Sequence, residues 1–398
     1  MQHSSLFRRL QRHCSPDRIL VLLQKRHLHF SGSPLYLKET KWLFFYYPFS
    51  KGIEMELKGK IGSIDELEAL LSRPSQALIE LMKRLSGDII ILGISGKIGV
   101  SLGLQAMSAI HAAGVNKKVY GVARFTDIKE REKLSSVGVI PITCDLMERD
   151  QVESLPNVEN VIFMAGRKFG TSGSEEVTWA MNVMVPALVA EHFKASRIVA
   201  FSTGCVYPLR TVEEGGCVEE CPPAPIGEYS QSCLGRERIF EYFSKKNGTK
   251  LLLFRLNYSV DLRYGVLDDI GRAIWDGREV NNTVGYFNAI WQGDVTAYAL
   301  RSLELADNPP VVLNVTGPEV ASVEETAHEM ARMMGKQVVF NGKAGKLNYL
   351  SDSSKMCQLF GKPSVSLADL IHMQADWISH GGRSIGKPTH YEVNNGRF

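Results

Sequence analysis

The run Gly93-Ile-Ser95-Gly96-Lys97-Ile98-Gly99 is the stretch of this chain best suited to chemistry. Its glycines free the backbone for dihedrals that other residues avoid and let a pyrophosphate come close to main-chain amides. An apolar β-branched run, Asp88-Ile-Ile-Ile-Leu92, precedes it, and a helical pattern over 98–113 follows. A glycine turn between strand and helix is a nucleotide-binding arrangement, here in the form GxxGxxG rather than GxGxxG. Metal chemistry has no such support. Cys205, Cys217, Cys221 and Cys233 do not have the spacing of a zinc site, no histidine lies among them, and His328, His372, His380 and His390 are scattered. The seven cysteines, an odd number at irregular spacing, read as reduced thiols.

The elements that must position these residues follow from periodicity. Ser63 with Glu66 is a capping box opening a helix with Leu67, Leu70 and Leu71 on one face, and Leu78, Ile79, Met82 and Leu85 mark a second helix before Gly87. The run at 88–92 has no polar interruption, which predicts a strand buried on both faces. Strands are then expected at 118–123, 139–143, 160–165, 197–202 and 250–256, alternating with helices at 98–113, 128–136, 177–193 and 229–245. Such a succession forces parallel pairing and right-handed crossovers, hence an α/β fold with an open, doubly wound parallel sheet. Beyond Gly265 helices dominate. The expected division is a basic extension at 1–53, a helical lead-in at 54–87, a nucleotide-binding domain at 88–264 and mainly a substrate lobe at 265–398.

Composition narrows the function classes. Of 398 residues, 44% are apolar and 22% charged, which excludes a disordered chain. The formal charge of +3 conceals a net +7 in residues 1–53 and a net −4 in the rest. A mildly acidic body argues against a nucleic-acid partner. The longest apolar run, 42–49, holds eight residues including a proline, too short to span a membrane. The extension is expected to be poorly ordered and the protein cytoplasmic; a mitochondrial transit peptide is the alternative reading of the same residues.

Several further motifs occur in order between Asp88 and Trp377. These are Asp145-Leu146 after the third strand, Ala165-Gly166 ending the fourth with Lys168 two residues on, Asn182-Val183 in the next helix, and Phe201-Ser-Thr203-Gly-Cys-Val-Tyr207. Asn314-Val-Thr-Gly317 and Ser322-Val-Glu-Glu325 follow. Together the chain resembles the extended short-chain dehydrogenase/reductases, the NAD-dependent epimerase/dehydratase family, with a Rossmann-type sheet and a smaller C-terminal substrate lobe. The resemblance implies a cofactor site formed by Gly93, Ser95, Gly96, Lys97, Ile98, Gly99, Asp145, Leu146, Ala165, Gly166, Lys168 and Asn182. It puts the catalytic Ser/Thr at Thr203. Pro186-Ala187 stands where the family has Gly-Thr.

Arg124 follows the second strand, where an acid suits the ribose hydroxyls of NAD and a cation the 2′-phosphate of NADP, so NADP is favoured over NAD. The family's Tyr-x-x-x-Lys falls on Tyr229-Ser-Gln-Ser-Cys233, with the lysine absent. Positions i and i+4 share a helix face, which puts Cys233 where a lysine would lie beside the phenol. A phenol of pKa about 10 is almost wholly neutral at pH 7, and bringing it near neutrality takes roughly 4 kcal/mol of positive potential. Oxidised cofactor alone, Lys168, or Arg236 are the remaining sources; alternatively Tyr229 stays protonated and acts as a proton donor. Trp291 is a candidate for stacking on substrate, and Asn257, with Arg255 near it at the end of a strand, for a substrate contact.

The expected function is an NAD(P)-dependent epimerase/dehydratase or oxidoreductase acting at a hydroxyl-bearing carbon of a carbohydrate-like small molecule. A catalytically idle NAD(P)-binding sensor or scaffold is the rival. A homodimer through the helices at 177–193 and 229–245 is expected by analogy.

Overall fold

The computed structural model describes residues 61–397 except 169, 171 and 172. The extension at 1–53 and the first residues of the lead-in lie outside the described residues. The lead-in continues as α1 (Ile64–Leu71) and α2 (Gln76–Arg84). Ser63 caps α1 by accepting from the Glu66 amide, and the Glu66 carboxylate accepts from the Gly62 amide at 2.7 Å. Ser75 caps α2 through the Leu78 amide.

The alternation then runs β1 (Ile89–Leu92), α3 (Gly99–Ala113), β2 (Val119–Ala123), α4 (Ile128–Ser136), β3 (Ile140–Thr143), α5 (Arg149–Glu153) and β4 (Asn160–Phe163). Next come α6 (Glu175–Trp179), a π-helical stretch Ala180–Met184, α7 (Val185–His192), β5 (Arg197–Thr203), α8 (Gly227–Asn247) and β6 (Lys250–Leu256). The expected single helix at 177–193 is thus broken in the middle. Pro186 has no amide hydrogen to give the carbonyl four residues back, and the neighbouring Val185 amide bonds instead to the Ala180 carbonyl, five back.

The remaining elements are β7 (Ser259–Val260), α9 (Val266–Trp275), β8 (Tyr286–Phe287), β9 (Ile290–Trp291), α10 (Gln292–Arg301) and β10 (Val311–Val315). β11 (Ala321–Ser322), α11 (Val323–Met334), α12 (Ser354–Phe360) and α13 (Leu367–Ser379) close the order.

Seven strands form one sheet in the order β10-β6-β5-β4-β1-β2-β3, every neighbouring pair parallel. The succession reverses between β1 and β4, so a crevice opens at the carboxyl ends of these two strands. One face of the sheet packs on α2, α3 and α10, the other on α7 and α8. A separate apolar cluster joins α1, α9, α11 and α13.

The expected boundary at 264 is not a strict division. β10 pairs with β6 from Val311 opposite Leu252 onward, and α10 lies against α2 and α3 on the sheet. The chain leaves the sheet, builds part of the lobe, and returns to add an edge strand before finishing the lobe. Val-Val-Leu-Asn-Val is a short strand-forming run, but one such run among helices does not announce which sheet it joins.

Candidate active site

The crevice is shaped first by glycine. Gly93, directly after β1, has φ +92°, and a Cβ there would stand 2.8 Å from the Ala165 amide nitrogen at the end of β4. At Gly99 a Cβ would meet the Ile94 carbonyl oxygen at 2.3 Å, so the first turn of α3 can pack against its own strand only without a side chain. No side chain caps α3, in contrast to the serines of α1 and α2. An uncapped helix start presents amides to whatever occupies the crevice.

A pocket of about 320 Å³ lies here. Gly93, Gly96, Lys97 and Ile98 form one wall; Lys168, Thr203, Tyr229 and Asn257 belong to the facing surfaces. These eight sequence-expected residues are brought together from four different strand ends and the start of α8. Ser95 is half-buried and Gly99 buried, both off the wall, and Ala165 is buried behind Gly93. Arg124 and Asp145, at the ends of β2 and β3, also lie outside this pocket. Arg124 is exposed, Asp145 holds its own turn by accepting from the Met147 amide, and Leu146 is core.

Thr203 ends β5, and Tyr229 stands in the first turn of α8. Both line the pocket, and the Thr203 hydroxyl and the Cys233 thiol, one helical turn on, both bear on the ionisation of the phenol. Burial and the neighbouring Cys233 and Cys205 push the phenol well above its ordinary range, while Arg236 and Thr203 oppose that rise. Burial pushes the Cys233 thiol up to about 11. Cys233 is therefore a neutral partner of the phenol and is not on the pocket wall.

Lys168 enters from the loop after β4. Its ammonium is 5.9 Å from the centre of the Tyr229 ring and donates to the Thr389 carbonyl at 3.3 Å. Burial lowers its pKa, against the pull of Cys205, Cys233, Asp269 and Glu392. Across the pocket Lys97 lies over the Tyr264 ring, 3.5 Å from its centre. Burial, then the charges of Lys168 and Lys387, bring it down to about 8.

Asn182 is corrected from a cofactor contact to a support. It is fully buried; its oxygen accepts from the Arg167 amide at 2.9 Å and from Arg236 at 2.7 Å, and its nitrogen donates to the Arg167 carbonyl and to Ser232. It thereby clamps the peptide groups immediately before Lys168. Trp291 is also corrected: it is 2% exposed within the lobe core, with its indole nitrogen against Gly293, and cannot stack on a ligand in the pocket. The next residue, Gln292, is on the pocket wall instead. Asn257 does face the pocket while donating to the Tyr349 carbonyl at 3.0 Å. Arg255 points away into a buried pair with Glu237, its two nitrogens 2.9 and 2.7 Å from the carboxylate oxygens.

Sequence reasoning missed Tyr258, Ser259, Tyr264, Gln292 and Thr389 on the wall. Thr389 sits in an irregular C-terminal stretch with no periodic signal; the side chain of Asp269 holds its amide and hydroxyl. Ser259 Oγ is buried and without a hydrogen-bond partner among the described residues. Among those residues no group of acidic, histidine and cysteine side chains could hold a metal ion, and no helix is long and apolar enough to cross a membrane.

A sequence model of the NAD dependent epimerase/dehydratase family matches residues 89–259. Among curated proteins, no sequence relative matches. Similar solved structures include a mutant UDP-glucuronic acid 4-epimerase from Bacillus cereus in complex with UDP-4-deoxy-4-fluoro-glucuronic acid and NAD. It is 18% identical with a TM-score of 0.62, covering 73% of this chain and 98% of that one. UDP-glucose 4-epimerase from Thermotoga maritima with UDP-glucose has the same identity, TM-score and coverages: 18%, 0.62, 73% and 98%. UDP-glucose 4-epimerase from Thermus thermophilus in complex with NAD is 17% identical with a TM-score of 0.59, covering 73% and 98%. At these identities the likeness is one of fold. The segment that matches the family model contains the glycine turn, Thr203 and Tyr229 themselves.

Proposed function

We propose that this protein is an enzyme that binds NAD or NADP across the crevice and acts, as an epimerase/dehydratase or oxidoreductase, at a hydroxyl-bearing carbon of a sugar or sugar-derived substrate. The observation that carries the reading is the Thr203 hydroxyl and the Tyr229 phenol lining one pocket with the glycine turn of Gly93 and Gly96. The residues present fit a pyridine dinucleotide. Gly93 and Gly96 leave the wall open to a close main-chain approach, α3 starts without a side-chain cap, and the buried Ser259 hydroxyl oxygen has no hydrogen-bond partner among the described residues. When bound, the nicotinamide supplies hydride exchange.

The chain's own residues do the rest. Thr203 and Tyr229 hold the oxygen of the reacting carbon, and the phenol is the group that moves its proton. Asn257 and Gln292 are polar contacts for the remainder of the substrate. Lys97 meets the diphosphate, and Ser95, Ile98 and Gly99 shape the turn that approaches it. Asp145 and Leu146 border the adenine side. An exposed cation at Arg124 favours the 2′-phosphate of NADP over the diol of NAD. Similar solved folds include complexes with UDP-glucose and with a UDP-glucuronic acid analogue, which makes nucleotide sugars the first substrates to try.

The test begins with fluorescence titration by NADPH and NADH, followed by UDP-glucose, UDP-glucuronic acid and free sugars with the oxidised dinucleotides. Binding, with turnover or a change in nicotinamide absorbance, is expected. Tyr229→Phe should lower that rate by about 100-fold or more while leaving dinucleotide affinity within a few-fold. Failure of the intact protein to bind either dinucleotide would overturn the reading. Tight binding with no reaction across the panel would leave only a binding protein.

A further inference from the structure

We propose that Lys168, delivered by the loop after β4, lowers the proton affinity of the Tyr229 phenol from the pocket side, by placing its ammonium beside the ring. The inference rests on the enzymatic reading above for its use, but not for its test.

Tyr229 is half-buried, and two of the groups that bear on its phenol, the Thr203 hydroxyl and the Cys233 thiol, are neutral. Neither can compensate a phenolate. The side of α8 one turn along therefore brings no charge to the phenol. Arg236, further along the same helix, opposes the rise of the phenol from the side away from the pocket, where its guanidinium is anchored. It donates to the Phe201 carbonyl at 2.9 Å and to Asn182 at 2.7 Å, and lies over the Phe163 ring. It is not on the pocket wall. Lys168 is on that wall, with its nitrogen 5.9 Å from the centre of the phenol ring.

The location is built. Gly166 has no room for a Cβ, which would stand 2.3 Å from Arg236 Nη2, and Asn182 grips both peptide groups of Arg167. The backbone carrying Lys168 is thus held from behind, while the Thr389 carbonyl receives its ammonium from in front. Lys168 is half-buried, and holding an ammonium partly away from water is costly, so that this support points to a use for the charge. Other groups that bear on the pair are Cys205 and Cys233 behind it, Lys97 across the pocket, and Asp269 and Glu392 on the side of α9 and the C-terminal stretch. The two acids sustain the lysine charge; Lys97 opposes it.

Physically, ammonium with phenolate and amine with phenol are both neutral pairs overall, so burial penalises neither strongly relative to the other. A lone buried phenolate is penalised heavily. Lys168 therefore makes the ionised phenol accessible, and acts as a positioning charge rather than as the group that touches substrate.

The experiment incorporates 3,5-difluorotyrosine at Tyr229, which lowers the intrinsic phenol ionisation into a range where the protein is folded, and follows its titration by fluorine NMR in the protein without dinucleotide. Lys168→Met is expected to raise the midpoint by about one pH unit or more, a tenfold change in proton affinity. Lys168→Arg should retain the midpoint within about 0.3 unit, and Cys233→Lys added to Lys168→Met should bring it back down. Lys168→Gln serves as the second neutral variant should Lys168→Met fold poorly, with circular dichroism checking both. A midpoint unmoved by neutralising Lys168 would overturn the inference, whether or not dinucleotide binds. Conversely, a shifted midpoint in a protein that binds no dinucleotide would uphold the electrostatic role and defeat the enzymatic reading instead.

Discussion

Lys97 shows how one side chain can report occupancy of the crevice. Burial beside Lys168 and Lys387 lowers it to about 8, so at a slightly higher pH a large fraction of its amines are neutral in the free protein. A dinucleotide diphosphate set against it restores the charge, because an opposite charge favours the ionised form. NADH or NADPH binding at about pH 8.5 should therefore be accompanied by uptake of roughly half a proton, measured by calorimetry in buffers of different ionisation enthalpy. Lys97→Met should abolish that uptake and weaken binding several-fold. Uptake that persists in the variant would put the diphosphate elsewhere. The pocket positions of Gly93, Gly96, Lys97, Thr203 and Tyr229 were legible because each lies at a strand end or a helix start that local pattern announces. The supporting role of Asn182 was not, because a buried amide is read correctly only once its four partners are known.

Among the elements, the tie between β6 and α8 matters most to the site. Arg255 and Glu237 form a buried ion pair, Ser202 donates to the same carboxylate at 2.6 Å, and Arg255 also bonds to the Tyr207 hydroxyl at 2.7 Å. Tyr207 in turn donates to Asn314 on β10 at 2.8 Å, so three strands and α8 share one polar network. Arg255→Met should cost about 3–5 kcal/mol in denaturant unfolding, because it leaves the Glu237 carboxylate buried without its cation. Arg255→Met combined with Glu237→Leu should recover much of that loss. Equal stability of the single and double variants would show that the pair is not coupled as its geometry implies. The π-helical stretch illustrates a partial success of sequence reading: the apolar pattern announced a helix, and Pro186 marked the place where it could not be regular. What the pattern could not convey is that the extra residue in the turn accompanies an inward-facing Asn182.

Across the molecule, α10 joins the returning chain to the lobe. Asp294 near its start is buried and accepts from the Ser364 amide at 2.9 Å, and burial raises it to about 6. Since the folded state holds this proton more tightly than the unfolded chain, the contribution to stability falls as pH rises from about 4 through about 6 and is flat beyond. Asp294→Asn removes that slope, so the stability of the variant relative to the wild type should grow by up to about 3 kcal/mol between pH 4 and pH 7. A constant difference across that range would show that Asp294 titrates normally. The strand–helix alternation, the parallel sheet and the glycine turn were all written in local patterns of hydrophobicity and residue type, because burial on both faces and tight turns impose their demands on contiguous residues. The return of β10 to the sheet, the inward turn of Trp291, the arrival of Thr389 and the meeting of Lys168 with Tyr229 came only with the folded chain. Each depends on contacts between segments far apart along it, and hydrophobic periodicity specifies that a face is buried without specifying against what.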